Sequence, residues 1–187
     1  PCNLACPAGN DVVGFIQALK YDGVEAAAAI LLRTQALPSV CGRVCPAPCM
    51  RACNREVFDG AVNIRSLERW ISDRSLLQLT QQTTTARHRF AVVGGGPAGW
   101  SAAYQLALRG HAVTIYEAGP ALGGVLRNGT PAFRQPREAL QRDLETAAAI
   151  VQRASRRLTT ALPEMDSKQR EQAQHKIGQA RQELDRM

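Results

Sequence analysis

Residues 89–117 read RFAVVGGGPAGWSAAYQLALRGHAVTIYE, and their order decides the fold of the second half of the chain. Phe90-Ala91-Val92-Val93 is a short apolar run that ends on glycine, the signature of a buried strand. Gly94 to Gly99 is a glycine turn, Trp100 to Arg109 has helical character, and Ala112 to Tyr116 is a second strand. The unit is therefore βαβ. Gly94, Gly96 and Gly99 form G-x-G-x-x-G between strand and helix, with Pro97 and Ala98 inside the pattern, and Glu117 closes the second strand. The glycines serve three physical ends, which are a tight turn, an open approach for a pyrophosphate at the helix N-terminus, and close packing of helix on strand. The acid at Glu117 suits a ribose hydroxyl.

Outward from this stretch the pattern thins. No convincing strand follows Gly129, and residues 137–187 are expected to be helical apart from a break near Pro163. Such a two-strand half leaves apolar sheet surface that needs more strands or a partner to cover it. On the other side, residues 80–85 are a polar, uncharged run of Thr and Gln that serves as a linker. Before it, residues 10–37 carry Val12, Phe15, Ile16 and Leu19 at helical spacing and then an alanine-rich run, which predicts two helices broken near Asp22-Gly23. Pro46 and Pro48 are expected to keep residues 41–54 from forming a regular helix, and a further helix is expected over 63–79, with Ile64, Leu67 and Ile71 on one side.

Composition narrows the class. The 187 residues hold one ordinary domain or two small ones, and 45% hydrophobic with 21% charged residues is a globular balance. No apolar run reaches the roughly 20 residues of a membrane span. A net charge of +7 favours anionic partners, but with 5% aromatics and no basic helix interleaved with aromatic residues the chain lacks the platforms of a nucleic-acid binder. The chain opens on Pro1 without a signal segment, so its natural N-terminus is expected to lie upstream. His88, His111 and His175 are isolated from one another, and no Ser-His-Asp or paired-carboxylate arrangement suggests hydrolysis.

All six cysteines lie within the first 53 residues, at Cys2, Cys6, Cys41, Cys45, Cys49 and Cys53. A signal-less basic chain with a nucleotide motif is expected to be cytoplasmic, where thiols stay reduced and ligation is favoured over disulfides. Cys2-Asn-Leu-Ala-Cys6-Pro7 matches the last half of the ferredoxin ligand run, and Cys41-x3-Cys45-Pro-x2-Cys49-x3-Cys53 adds four evenly spaced thiols with a second Cys-Pro. Soft thiolates suit an iron-sulfur core. Zinc accepts four thiolates as well, though it more often takes paired C-x2-C knuckles, and buried or disulfide-linked cysteines remain open alternatives.

The strings PCNLACPAGNDVVGFI, CGRVCPAPCMRACNRE, GAVNIRSLERW and VVGGGPAGWSAAYQLALRGHAVTIYEAGPALGGVLRNGTPAFRQP, in this order, resemble the N-terminal part of the glutamate synthase small subunit and of dihydropyrimidine dehydrogenase-like iron-sulfur flavoproteins. The resemblance covers residues 1 to about 145. It implies an α + α/β chain, with a helical [4Fe-4S] domain at 1–79, a linker at 80–87, a partial Rossmann-type FAD-binding half-domain at 88–146 and a helical C-terminal tail at 147–187. Carried over by position, Cys2 and Cys53 serve a first cluster whose other two cysteines lie upstream of Pro1. Cys6, Cys45 and Cys49 serve a second cluster with Glu68 as a non-cysteine ligand, and Cys41 has no assigned iron. FAD is preferred to NAD because Gly123-Gly124 follows Glu117 closely, and Arg127 offers positive charge to the diphosphate. The implied function is electron transfer between FAD and [4Fe-4S] clusters, with NAD(P)H served through residues outside this chain and a catalytic partner subunit or a second copy as the expected associate. The alternative is a non-catalytic scaffold that docks an oxidoreductase partner. Ile177, Ala180, Leu184 and Met187 share one face, which predicts that residues 164–187 form a helix packed on the half-domain or on a second copy.

Overall fold

Local signals start most of the helices. The Asp11 carboxylate accepts the Gly14 N–H at 2.9 Å and caps one helix, and Asn63 Oδ1 accepts the Ser66 N–H at 3.2 Å and caps another, each satisfying a backbone donor that the first turn leaves free. The computed structural model describes residues 1–75 and 88–154. Its elements are α1 (Cys2–Ala5), α2 (Val12–Tyr21), α3 (Val24–Leu31), α4 (Pro38–Val44), α5 (Pro48–Arg51), a 3-10 turn (Asn54–Val57), α6 (Ile64–Arg74), β1 (Arg89–Val93), α7 (Pro97–Leu108), β2 (Ala112–Tyr116), α8 (Val125–Asn128) and α9 (Arg137–Ala154). Gly23, at φ 95°, makes the expected break between α2 and α3.

Three expectations about the helices need correction. α6 ends at Arg74, with Ser75 extended, short of the expected residue 79. The region around the prolines is more helical than expected: α4 runs through Cys41, and Pro48 opens α5 from its first position. Proline is tolerated there because the N–H it lacks would have no intrahelical partner. For the same reason α7 begins at Pro97, three residues earlier than the apolar pattern suggested. The polar run at 80–85 and the helical tail at 164–187 lie outside the described residues.

β1 and β2 pair in parallel, from Arg89 opposite Ala112 to Val93 opposite Tyr116. α7 and α9 pack on this small sheet. β1, expected to be a buried strand, is instead largely exposed, Phe90 and Val93 included, as is Tyr116 of β2, because a two-strand sheet leaves apolar surface that α7 and α9 do not cover.

The interior forms two cores. Val12, Phe15, Ala27, Leu31, Cys49, Ile64 and Ile71 make the first. Trp100, Tyr104, Ile115, Leu140, Ile150 and their neighbours make the second, and Ala36, Leu37 and Val40 from the N-terminal half join it. α4 thus serves both halves. The tie is also polar: Tyr104 O–H donates to the Leu32 carbonyl at 2.5 Å, and the buried Asp143 of α9 accepts the Val40 N–H at 2.9 Å. α4 has no side-chain cap of its own, so Asp143 supplies one from 103 residues away. α9 continues through residue 146, where the sequence suggested that the half-domain ends.

Candidate functional site

The thiols are gathered by α1, α4, α5 and α6. Cys6 directly follows α1, Cys45 ends α4, Cys49 lies in α5, and Glu68 sits on the buried side of α6 beside Ile64 and Ile71. α4 approaches α6 so closely that a Cβ on Gly42 would lie 2.6 Å from the Arg69 backbone nitrogen, which explains a glycine in the middle of a helix. Val40 of α4 enters the second core and Val44 packs against it, while Cys41 feels the charges of Glu68, Asp143, Cys45 and Cys6. Cys49 in turn feels Glu68, Cys6 and Cys45. Four thiols and one carboxylate therefore share one neighbourhood.

Burial dominates its electrostatics. It pushes the Cys41 thiol up to about 12, with Glu68 and Asp143 adding to the effect, and raises Cys49 in the same way. A thiol held so firmly in its protonated form behaves as a small apolar side chain. Burial also raises Glu68, opposed by hydrogen bonds from Asn10 Nδ2 at 2.9 Å and Gln35 Nε2 at 3.3 Å. Both fall on Oε1, which leaves Oε2 as the oxygen able to meet a metal. Cys53 differs: the backbone N–H groups of Val62 and Arg55 hold its thiol below the usual range. Cys2 lies in α1, which packs on α5, and Cys53 follows α5 closely.

Among the described residues, no three His, Cys, Asp or Glu side chains converge tightly enough for a single metal ion. A [4Fe-4S] core takes one ligand on each of four irons and so spaces its donors more widely. Cys6, Cys45 and Cys49 supply three soft thiolates and Glu68 one hard carboxylate oxygen, a set of four donors that fits such a core. Asn10, Gln35 and Asp143 escaped the sequence reading, because their roles come from contacts 33 to 103 residues distant.

The glycine turn is built mainly from backbone. Gly94, at φ 99°, donates its N–H to the Tyr116 carbonyl at 2.7 Å. A Cβ on Gly99 would meet the Gly94 carbonyl oxygen at 1.9 Å, whereas a Cβ on Gly96 would meet nothing within 4 Å. Gly96 caps α7, which starts with Pro97, Ala98 and Gly99, and so faces open space at a helix N-terminus. Gly124 closes the far side: its Cβ would lie 2.9 Å from Gly96 Cα, and Gly123 N–H bonds the Gly95 carbonyl at 2.8 Å. The space that a Gly96 side chain would enter is open, which fits a phosphate approach. Glu117 accepts the Gly95 N–H at 2.6 Å and the Gly119 N–H at 2.7 Å, and thereby holds both loops. Arg127 bonds the Leu122 carbonyl and Gln141, bracing the Gly123-Gly124 loop. His88 and His111, distant in sequence, meet with ring centroids 5.6 Å apart at the opposite end of the sheet.

Two stretches of the chain match known families. Residues 1–79 match the family described as dihydropyrimidine dehydrogenase domain II, 4Fe-4S cluster, and residues 92–159 match the NAD(P)-binding Rossmann-like domain. The chain is a relative of the dihydropyrimidine dehydrogenase-like iron-sulfur proteins. It is 41% identical over 156 residues to an NADPH-Fe(3+) oxidoreductase subunit beta of Geobacter sulfurreducens, covering 80% of this chain and 23% of that one. It is 39% identical over 149 residues to a Salmonella typhi homologue of the NAD-dependent dihydropyrimidine dehydrogenase subunit PreT, covering 77% and 36%. A Moorella thermoacetica NADP(+)-dependent formate dehydrogenase subunit beta is 38% identical over 175 residues, covering 80% and 25%. The chain thus spans about a quarter to a third of the length of these relatives. No helix among the described residues is long and apolar enough to cross a membrane.

Proposed function

We propose that this chain is an electron-transfer module of an NAD(P)H-linked iron-sulfur flavoprotein oxidoreductase, with FAD as the dinucleotide at the glycine turn and a [4Fe-4S] cluster at the thiol pocket. The observation that carries the reading is α4, which sets Cys41 within electrostatic reach of Glu68 and ends on Cys45 while packing Val40 and Val44 on the core that supports the dinucleotide turn. A bound flavin exchanges electrons in pairs with a nicotinamide and singly with a cluster, which is the chemistry the two groups supply together.

The chain's own residues hold and orient. Cys6, Cys45, Cys49 and Glu68 would ligate, Asn10 and Gln35 fix the Glu68 carboxylate, and Cys49 is buried in the apolar first core. Cys2 and Cys53 stand ready as two ligands of a further cluster. Gly96 would leave room for the diphosphate, and Glu117, held by the Gly95 and Gly119 N–H groups, would accept from a ribose hydroxyl. The names of the relatives, all subunits of NAD- or NADP-linked oxidoreductases, support the same class. Partner subunits are part of the proposal.

The test is composition and colour. The chain, prepared anaerobically, is expected to hold about one [4Fe-4S] cluster and to take up FAD, with visible absorption from both. Stoichiometric zinc, or no metal after anaerobic reconstitution, would overturn the cluster assignment. Failure to take up FAD would overturn the flavin assignment, and a protein without either group would point to a scaffold.

A further inference from the structure

Cys45 is surrounded differently from the other candidate ligands. Its Sγ accepts the Ala47 N–H at 3.3 Å. Ala47 reaches this position in a left-handed conformation (φ 53°, ψ 57°), and among the described residues no other residue except glycine has positive φ. An L-residue takes that conformation only at a cost in free energy, so the loop between Pro46 and Pro48 is held there by its surroundings. Part of that hold is Arg65. From the first turn of α6, one turn before Glu68, its Nη1 donates to the Cys45 carbonyl at 3.1 Å and is half-buried there.

The neighbouring guanidinium groups are otherwise engaged. Arg43 pairs with Asp73 at 2.7 Å, Arg69 approaches the same carboxylate at 3.6 Å, and Arg74 lies over the Trp70 ring at 4.4 Å. Among the described residues, no carboxylate lies within ion-pair distance of Arg65. Its positive charge is not offset by an ion pair and lies against the backbone of a candidate ligand. Reduction of a cluster adds one negative charge at that place, and the potential of such a group follows local net charge, hydrogen bonds to its sulfurs and solvent exposure. The Glu68 carboxylate acts in the opposite sense from the next turn of the same helix.

We infer that Arg65 is a positioning residue that raises the reduction potential of the cluster held by Cys6, Cys45, Cys49 and Glu68, through its charge and its grip on the Cys45 carbonyl. The inference rests on the proposed cluster. It is tested on the anaerobically loaded full chain by dithionite titration followed by electron paramagnetic resonance, with iron and sulfide counted in each sample. Arg65→Gln keeps a donor and loses the charge. It is expected to keep the cluster and to disfavour the reduced state about tenfold at a given poise, a shift of about 59 mV to lower potential for one electron. Arg65→Lys keeps the charge and is expected to stay near wild type. An unchanged potential in a fully loaded Gln variant would overturn the tuning role. So would loss of iron from that variant, which would make Arg65 a structural clamp, or an equal shift in the Lys variant, which would assign the effect to geometry instead of charge. Wild-type protein that takes up no iron and sulfide overturns the cluster reading itself, before any variant is compared.

Discussion

The glycine turn takes its shape from six consecutive residues, Gly94 to Gly99, whereas the thiol pocket draws Cys6, Cys41, Cys45, Cys49 and Glu68 from the ends and faces of several helices. In the turn the functional atoms are backbone N–H groups, and side chains matter chiefly by being absent. In the pocket the functional atoms are sulfur and carboxylate oxygen, and their value depends on helices that converge only in the folded chain. The first arrangement tolerates changes around it but almost none within it. The second transmits any change in helix packing to its ligands.

Gly99→Ala attacks the turn from within and should have the largest effect. Its Cβ would sit 1.9 Å from the Gly94 carbonyl oxygen, and relief requires α7 to move off β1. A loss of more than about 3 kcal/mol, in the range of the most damaging core changes, is expected in urea denaturation, together with loss of dinucleotide binding. Wild-type stability would show that helix and turn can separate without cost.

Gly42→Ala is the matching change for the pocket. Backbone atoms of Arg69 stand within 2.7 Å of the new Cβ, so α4 and α6 must separate. Overpacking of this kind costs about 1–3 kcal/mol, and iron content after anaerobic reconstitution should fall with it, because α4 and α6 carry ligands on both sides of the contact. Full iron retention in this variant would mean that the pocket does not depend on that helix spacing.

Asp143→Asn probes the tie between the regions. Burial pushes Asp143 up to about 7, opposed by the Val40 and Ser39 N–H groups and by Arg43 and Arg142. A group raised in the folded state contributes stability below its unfolded value, near 4, and loses that contribution as pH rises through about 7. The variant cannot ionise, so its stability relative to wild type should increase from about pH 4 to pH 7 and then level off, by an amount on the order of a few kcal/mol at most. Parallel denaturation curves at pH 5 and pH 8 would contradict this.

Gly96→Val should have the smallest effect on stability, within about 0.5 kcal/mol, since a Cβ there meets nothing within 4 Å. Flavin binding should nevertheless be lost. Two glycines of one motif would then be separated by mechanism, Gly99 for packing and Gly96 for ligand space. Equal flavin occupancy in wild type and the valine variant would remove the dinucleotide assignment from this turn.

How far each region can be read from sequence follows the same contrast. The βαβ unit is legible because glycine spacing and short apolar runs are local, and the helix break at Gly23 is legible for the same reason. The region from Cys41 to Asn54 is harder to read, because proline breaks a helix from within yet costs nothing at its first position, and residue type alone does not say which applies. Glu68 stands out only by resemblance, since on a helical pattern an acid beside Arg65 and Arg69 looks solvated.

The sequence by itself determined which chemistry is present: thiols grouped in the first 53 residues, a glycine turn between strand and helix, and an acid at the end of the second strand. These depend on residue type and short spacing, which no distant contact alters. Only the tertiary structure decided how the parts meet. It buried Glu68 against Asn10 and Gln35, brought Asp143 to the start of α4, set Arg65 against the Cys45 carbonyl, and packed α4 against both α6 and α9. Those facts rest on packing between residues tens of positions apart, where burial sets the protonation of an acid or thiol and where a single absent Cβ at Gly42 sets the distance between two helices.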